Sequence, residues 1–145
     1  MKPHNRLFET IENINSFSLI QEEHILNDIE IVNLIDTARA KFIDSYEMLS
    51  KNCVLHYLKL KKITMDIDIN NFVSSNDLIT IEGFLKKISA RHLWIDYKIY
   101  KKDPNREICV LASVTTVIGY FSLKKEKFVA FPQSMFDLFT NLMME

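Results

Sequence analysis

The sequence predicts an α+β domain in which one long helix packs against an antiparallel sheet. Three observations carry this. Residues 25–49 hold a helical period, four later stretches hold a period of two, and no helical stretch separates those four. Strands that follow one another without intervening helices exclude a doubly wound parallel sheet. The chain has 145 residues, 48% apolar and 26% charged, which is enough for one buried core and excludes a disordered or collagen-like polymer. No repeat, low-complexity tract or Pro/Gly-rich linker interrupts it, so residues 1–145 read as one domain.

The elements follow in order. Arg6–Ile14 places Leu7, Phe8, Ile11 and Ile14 at helical spacing, which predicts a short N-terminal helix. Residues 16–21, SFSLIQ, read as a short strand. In the long stretch, Ile31, Leu34, Ile35, Ala38, Phe42, Tyr46 and Leu49 share one side at about 100° per residue. Ile25, Val32 and Ile43 widen that arc, and Glu30, Asn33, Thr37, Lys41, Asp44 and Glu47 oppose it. An arc this wide needs a covering sheet. Ile63, Met65, Ile67 and Ile69 then alternate with polar residues, as a half-buried strand does. Residues 71–77 supply turn chemistry, and 78–87 form the next strand. Leu93, Ile95, Tyr97 and Ile99 alternate in a third, and residues 103–106, DPNR, signal a hairpin into a long Val/Thr-rich strand over 107–122. Ser134 and Asp137 make a capping-box-like start to a C-terminal helix bearing Phe136, Phe139 and Met143.

Composition narrows function. The net charge of -1 argues against a generally basic nucleic-acid protein and leaves room for a local patch. Gly83 and Gly119 are the only glycines, which removes the P-loop and the dinucleotide fingerprint. Cys53 and Cys109 make no disulfide framework. His4, His24, His56 and His92 lack metal-site spacing, so no metal is expected. No signal-like leader and no membrane-length apolar run is present, and a reduced, cytoplasmic setting follows.

Residues 27–40, NDIEIVNLIDTARA, resemble the helix motif of the phenylacetyl-CoA-type hotdog thioesterases, with Asn27 at the His/Asn position and Asp36-Thr37-Ala38 at the Asp-Thr-Ala. The following ITMDIDINNF, SSNDLITIEGFLKK and ASVTTVIGYF resemble that family's later strands. The resemblance implies a hotdog fold: a long central helix wrapped by a curved antiparallel sheet. It also implies an acyl-CoA or acyl-carrier-protein thioesterase that takes coenzyme A as part of its substrate, needs no other cofactor, and works as a homodimer or tetramer. Two glycines follow the His/Asn in that family; here Asp28 and Ile29 stand there, where side chains would narrow the site. A second hotdog group, the 4-hydroxybenzoyl-CoA type, carries an acid before the helix. Gln21 holds that position here, and Glu22 follows it.

Asp36 sits at the edge of the apolar arc beside Val32 and Ile43. A carboxylate there activates water for thioester hydrolysis, or it pairs with Arg39 at i+3. Asn27 and Asp28 read as helix caps, with Asn27 also a candidate to orient the thioester carbonyl. Asp36 lies about 13 Å along the helix from Asn27, so shared chemistry needs two protomers. Glu22 and His24 are candidate bases in the loop before the helix. Arg91 and His92, with Lys86, Lys87, Lys98, Lys101 and Lys102, form a basic cluster that is either a solvated sheet face or a dock for coenzyme A phosphates or a carrier protein. A non-catalytic acyl-CoA-binding role stands beside the thioesterase reading.

Overall fold

The computed structural model describes residues 6–13, 23–46, 49, 56–74, 77–102, 105 and 107–144. In chain order the elements are β1 (Arg6–Asn13), β2 (Glu23–His24), α1 (Asp28–Asp44), β3 (His56–Ile67), β4 (Val73–Ser74), β5 (Leu78–Ile88), β6 (His92–Lys102), β7 (Ile108–Ser122), β8 (Lys127–Val129) and α2 (Gln133–Met144). Six strands make an antiparallel sheet in the order β1-β5-β6-β7-β3, with β8 also paired to β7. β2 and β4 pair separately. This is the hotdog α+β architecture.

The predicted arc of α1 is the face that packs: Ile31, Leu34, Ile35, Ala38 and Phe42 are buried. Each of the four larger side chains removed from water contributes roughly 1.5–3 kcal/mol before entropy is counted, and Ala38 less. The helix is shorter than its periodicity. It starts after the Asn27 cap and ends at Ser45, whose N–H meets Lys41 and Phe42 carbonyls. The sheet offers its inner face to α1. Leu93, Ile95, Tyr97 and Ile99 of β6 are all buried, as the alternation requires. β3 shows the same period more weakly, its inward Leu58, Leu60, Ile63, Met65 and Ile67 half-buried at the sheet edge.

Three expectations change. Residues 6–13 form a strand, not a helix. They pair with β5 from Arg6↔Phe84 to Asn13↔Leu78, with a bulge between Arg6 and Phe8. Leu7, Phe8 and Ile11 fit either period, and non-local pairing decides. Residues 71–77 are not all turn, because β4 lies within them and Val73 is fully buried. α2 begins at Gln133, so Ser134 lies inside its first turn and caps nothing; the Pro132 carbonyl accepts from Met135 and Phe136 instead. The three-residue β8 is too short to leave a period. The SFSLIQ strand and Cys53 fall outside the described residues.

β8 takes up the ladder where β6 stops. β6 pairs with β7 as far as His92↔Gly119, and Tyr120↔Val129 continues on the same side. A hydrogen bond from Phe131 N–H to the Ala90 carbonyl, 2.9 Å, ties the two strand ends together. α2 then packs on β5 through buried Met135, Phe139 and Leu142.

Candidate active site at the start of the central helix

The short β2–β4 ladder delivers the chain to α1. His24 pairs with Val73, and Leu26 is buried just beyond it. Asn27 is extended, as an N-cap must be, and its side-chain oxygen accepts from Glu30 N–H at 2.9 Å. The Glu30 carboxylate returns to Asn27 N–H at 3.0 Å, completing a reciprocal capping box. The same Glu30 oxygen meets His24 Nε2 at 2.5 Å, so Glu30 ties β2 to the helix. The Asp28 carboxylate accepts from Ile29 N–H at 3.0 Å.

Two first-turn amides are therefore already engaged by side chains. The positive end of the helix dipole is also met by the charges of Asp28 and Glu30. That stabilises the helix and opposes a developing oxyanion. Beside this end lies a groove of about 290 Å³ lined by Asp28, Ile29, Val32, Asn33, Ile63 and Met65. Ile29 is 68% exposed at its rim.

Asp36 is two and a half turns away. Its carboxylate accepts from Arg39 Nη2 at 2.9 Å, the i+3 pair that the spacing allows. The other guanidinium nitrogen, Arg39 Nη1, is buried without a hydrogen-bond partner, and so is Tyr97 Oη. Arg39 and Thr116 both lie near that hydroxyl, but neither meets it at hydrogen-bonding geometry. Burial pushes the Tyr97 phenol up to about 12, against the opposing pull of Arg39.

The structure thus brings Asn27, Asp28, Ile29 and His24 together at the helix start, and it leaves Asp36 outside that group. Arg91 is exposed in the turn joining β5 and β6, on the order of 15 Å from the groove by strand spacing and register. Glu22 lies outside the described residues. The basic cluster expected from sequence divides. Lys86, Lys87, Arg91 and His92 stand at one end of β6; Lys102 stands at the other, and Lys101 pairs with Asp77 at 3.2 Å. Sequence reasoning missed Glu30, which its N-x-x-E spacing from Asn27 signals, and the groove wall of Asn33, Ile63 and Met65. Among the described residues no group of three or more His, Cys, Asp or Glu is arranged to hold a metal. No helix of the described residues is long and apolar enough to cross a membrane.

No protein-family model matches the chain, and no curated protein does. Solved structures do. The hypothetical protein SAV2348 from Staphylococcus aureus, in complex with CoA, superposes with a TM-score of 0.79 at 13% identity, over 99% of this chain and 88% of that one. YbaW, a probable thioesterase from Escherichia coli, gives 0.72 at 15% identity over 94% and 98%. A 1,4-dihydroxy-2-naphthoyl-CoA thioesterase from Synechocystis gives 0.69 at 13% over 95% and 96%. The chain therefore shares the hotdog fold of these structures, two of which are described as thioesterases.

Proposed function

We propose that this chain acts on acyl thioesters, hydrolysing a fatty or aromatic acyl group from coenzyme A or an acyl carrier protein. The observation that carries the reading is the groove between the start of α1 and Ile63 and Met65 of β3, apolar along its length and polar at its helix end. It lies on a fold shared with structures described as thioesterases. The acyl chain lies along Ile29, Val32, Ile63 and Met65, and the carbonyl is turned toward Asn27 and Asp28. His24 borders the entry, and Arg91 meets phosphate farther out; Glu22, two residues before His24 in sequence, is the second candidate base. Asp36 is the base: its carboxylate takes a proton from water, the water oxygen adds to the carbonyl carbon, and the C–S bond breaks to release the protonated thiol. Because Asp36 stands about 13 Å from Asn27 along one helix, a homodimer supplies the two ends of the site.

A second reading, acyl-CoA binding without turnover, is favoured by one observation. The Ile29 and Glu30 amides that an oxyanion would need are held by Asp28 and Asn27.

Thiol release from octanoyl-, palmitoyl- and benzoyl-CoA, measured beside calorimetric binding, separates the two. Turnover in Asp36→Asn should fall on the order of 10²-fold with affinity little changed. Binding with no thiol release in the parent establishes the second reading. Absence of both binding and release overturns the proposal.

A further inference from the structure

The outer face of the sheet is not uniform. At the end where β3, β6, β7 and β8 meet, five rings form a continuous chain across the strands. Tyr57 to Phe121 is 5.8 Å, Phe121 to Phe128 5.3 Å, Phe128 to His92 5.6 Å, and His92 to Trp94 6.1 Å between centroids. Lysines lie over three of these rings: Lys59 over Phe121 at 4.2 Å, Lys61 over Phe128 at 5.5 Å, and Lys87 over Trp94 at 4.6 Å.

Two bulges enrich the patch. The register skips one residue between Leu60 and Lys62 opposite β7, and one between Leu85 and Lys87 opposite β6. Each skip leaves two consecutive lysines exposed, Lys61 with Lys62 and Lys86 with Lys87. These pairs flank the row occupied by Trp94 and Val117. A bulge re-aims a side chain, and here both re-aim a cation to the same rim. Arg91 is exposed beyond the row, and Lys124, Lys125 and Lys127 sit on the β7–β8 hairpin, with one carboxylate, Glu126, among them. Among the described residues, no carboxylate occupies the rows from Tyr57–Phe121 to Lys62–Val117–Trp94–Lys87. The net charge of -1 thus averages over a segregated surface.

We propose that this outer-face patch binds single-stranded nucleic acid without strong sequence preference. Charge complementarity calls for a polyanion, and the ring chain selects among polyanions. An acidic protein would use the lysines alone, whereas a single strand uses phosphates against lysines and bases against rings on an open sheet. The surface lies on the face of the sheet opposite α1 and shares only Arg91, at its margin, with the thioester reading, so the inference does not depend on that reading.

The test is direct because Trp94 is the only tryptophan of the chain. Fluorescein-labelled oligo-dT of about 20 nucleotides is titrated with the protein at about 50 mM and about 200 mM salt, following anisotropy and Trp94 emission. Binding should saturate at low salt, weaken by tenfold or more at the higher salt, and quench Trp94 as bases stack. The variant K61A/K62A/K86A/K87A alters only exposed side chains and should keep its thermal midpoint. It should bind at least tenfold more weakly, with the log–log salt slope reduced by up to about 3. Trp94→Leu should weaken binding while leaving most of the salt slope. The proposal is overturned by no anisotropy change at about 100 μM protein, or by an undiminished affinity in the lysine variant. It is equally overturned if polyglutamate competes as well as the oligonucleotide with Trp94 emission unmoved, which would mark an acidic-protein surface. Displacement by equimolar coenzyme A would reduce the patch to a mononucleotide site and also end it.

Discussion

The chain's two glycines sit on opposite faces of one sheet and solve the same packing problem. Gly83 lies on the inner face, where an added Cβ would stand 2.4 to 2.9 Å from ring carbons of Phe8 on β1. Gly119 lies on the outer face, where a Cβ would stand 2.3 and 2.7 Å from ring carbons of Phe128 on β8 and 3.1 Å from His92. Neither has a positive φ, so both are glycine for space rather than for backbone freedom. The surroundings differ. Phe8, half-buried, is walled by Phe42 of α1 at 5.5 Å and by Tyr97 at 5.8 Å, against the core. Phe128, also half-buried, is bordered by the outer-face rings of His92 and Phe121 and by Lys61. One device seats a ring against the core; the other seats one on the outer face.

Substitution should abolish that contrast. Gly83→Ala should cost about 2–3 kcal/mol in urea unfolding, because a Cβ displaces Phe8 from its seat between Phe42 and Tyr97. Phe8→Ala in the same chain should absorb much of that cost, a coupling that a double-mutant cycle reads out. Gly119→Ala should cost about 1 kcal/mol, since Phe128 can swing into solvent. It should also loosen Phe128 from His92, seen as a shifted His92 resonance.

Tyr97 probes the inner half further. At neutral pH, Tyr97→Phe removes an unpartnered buried hydroxyl and should leave stability unchanged or raise it by up to about 1 kcal/mol. In alkali the parent should lose ground. A phenol at about 12 in the folded chain and near its ordinary 10.0 when unfolded is stabilising below pH 10, and that contribution disappears as pH rises toward 12. The phenylalanine variant should lack about 2 kcal/mol of that alkaline loss.

The smallest effect belongs to the outer half. Partial burial and the charges of Lys61 and Arg91 hold the His92 imidazole below 6.5. A depressed histidine contributes stability above its ordinary range that is lost as pH falls through its folded value. Lys61→Ala should move the His92 midpoint upward in an NMR titration and leave the urea midpoint unchanged.

The inner face is largely legible in the sequence, because burial writes its period into consecutive residues. Ile31 to Phe42 and Leu93 to Ile99 are placed as their spacing requires. At the helix start, Asn27 is legible as a cap, and the Asp36–Arg39 pair as an i+3 possibility. What escapes depends on partners distant in sequence. Phe8 and Ile11 satisfy two periods, and only pairing with β5 chooses between them. His24 meets Glu30 only because β4 holds β2 in place. The ring chain joins residues 57, 121, 128, 92 and 94, and no local window contains more than two of them. Register and bulge position create that neighbourhood, and neither is written in composition.

The collinear placement of β6 and β8 bears on the order of events in folding. Residues 120–122 of β7 have a partner from β3, which precedes them, but their other side stays open until Lys127–Val129 dock. The Phe131–Ala90 link and the burial of Phe139 come later still. A refolding chain in which β7 has paired with β3 but β8 has not docked therefore presents a half-finished sheet edge, flanked by aromatic residues. Truncation after Ser122 should leave that edge open and promote self-association, whereas the full chain covers it with β8.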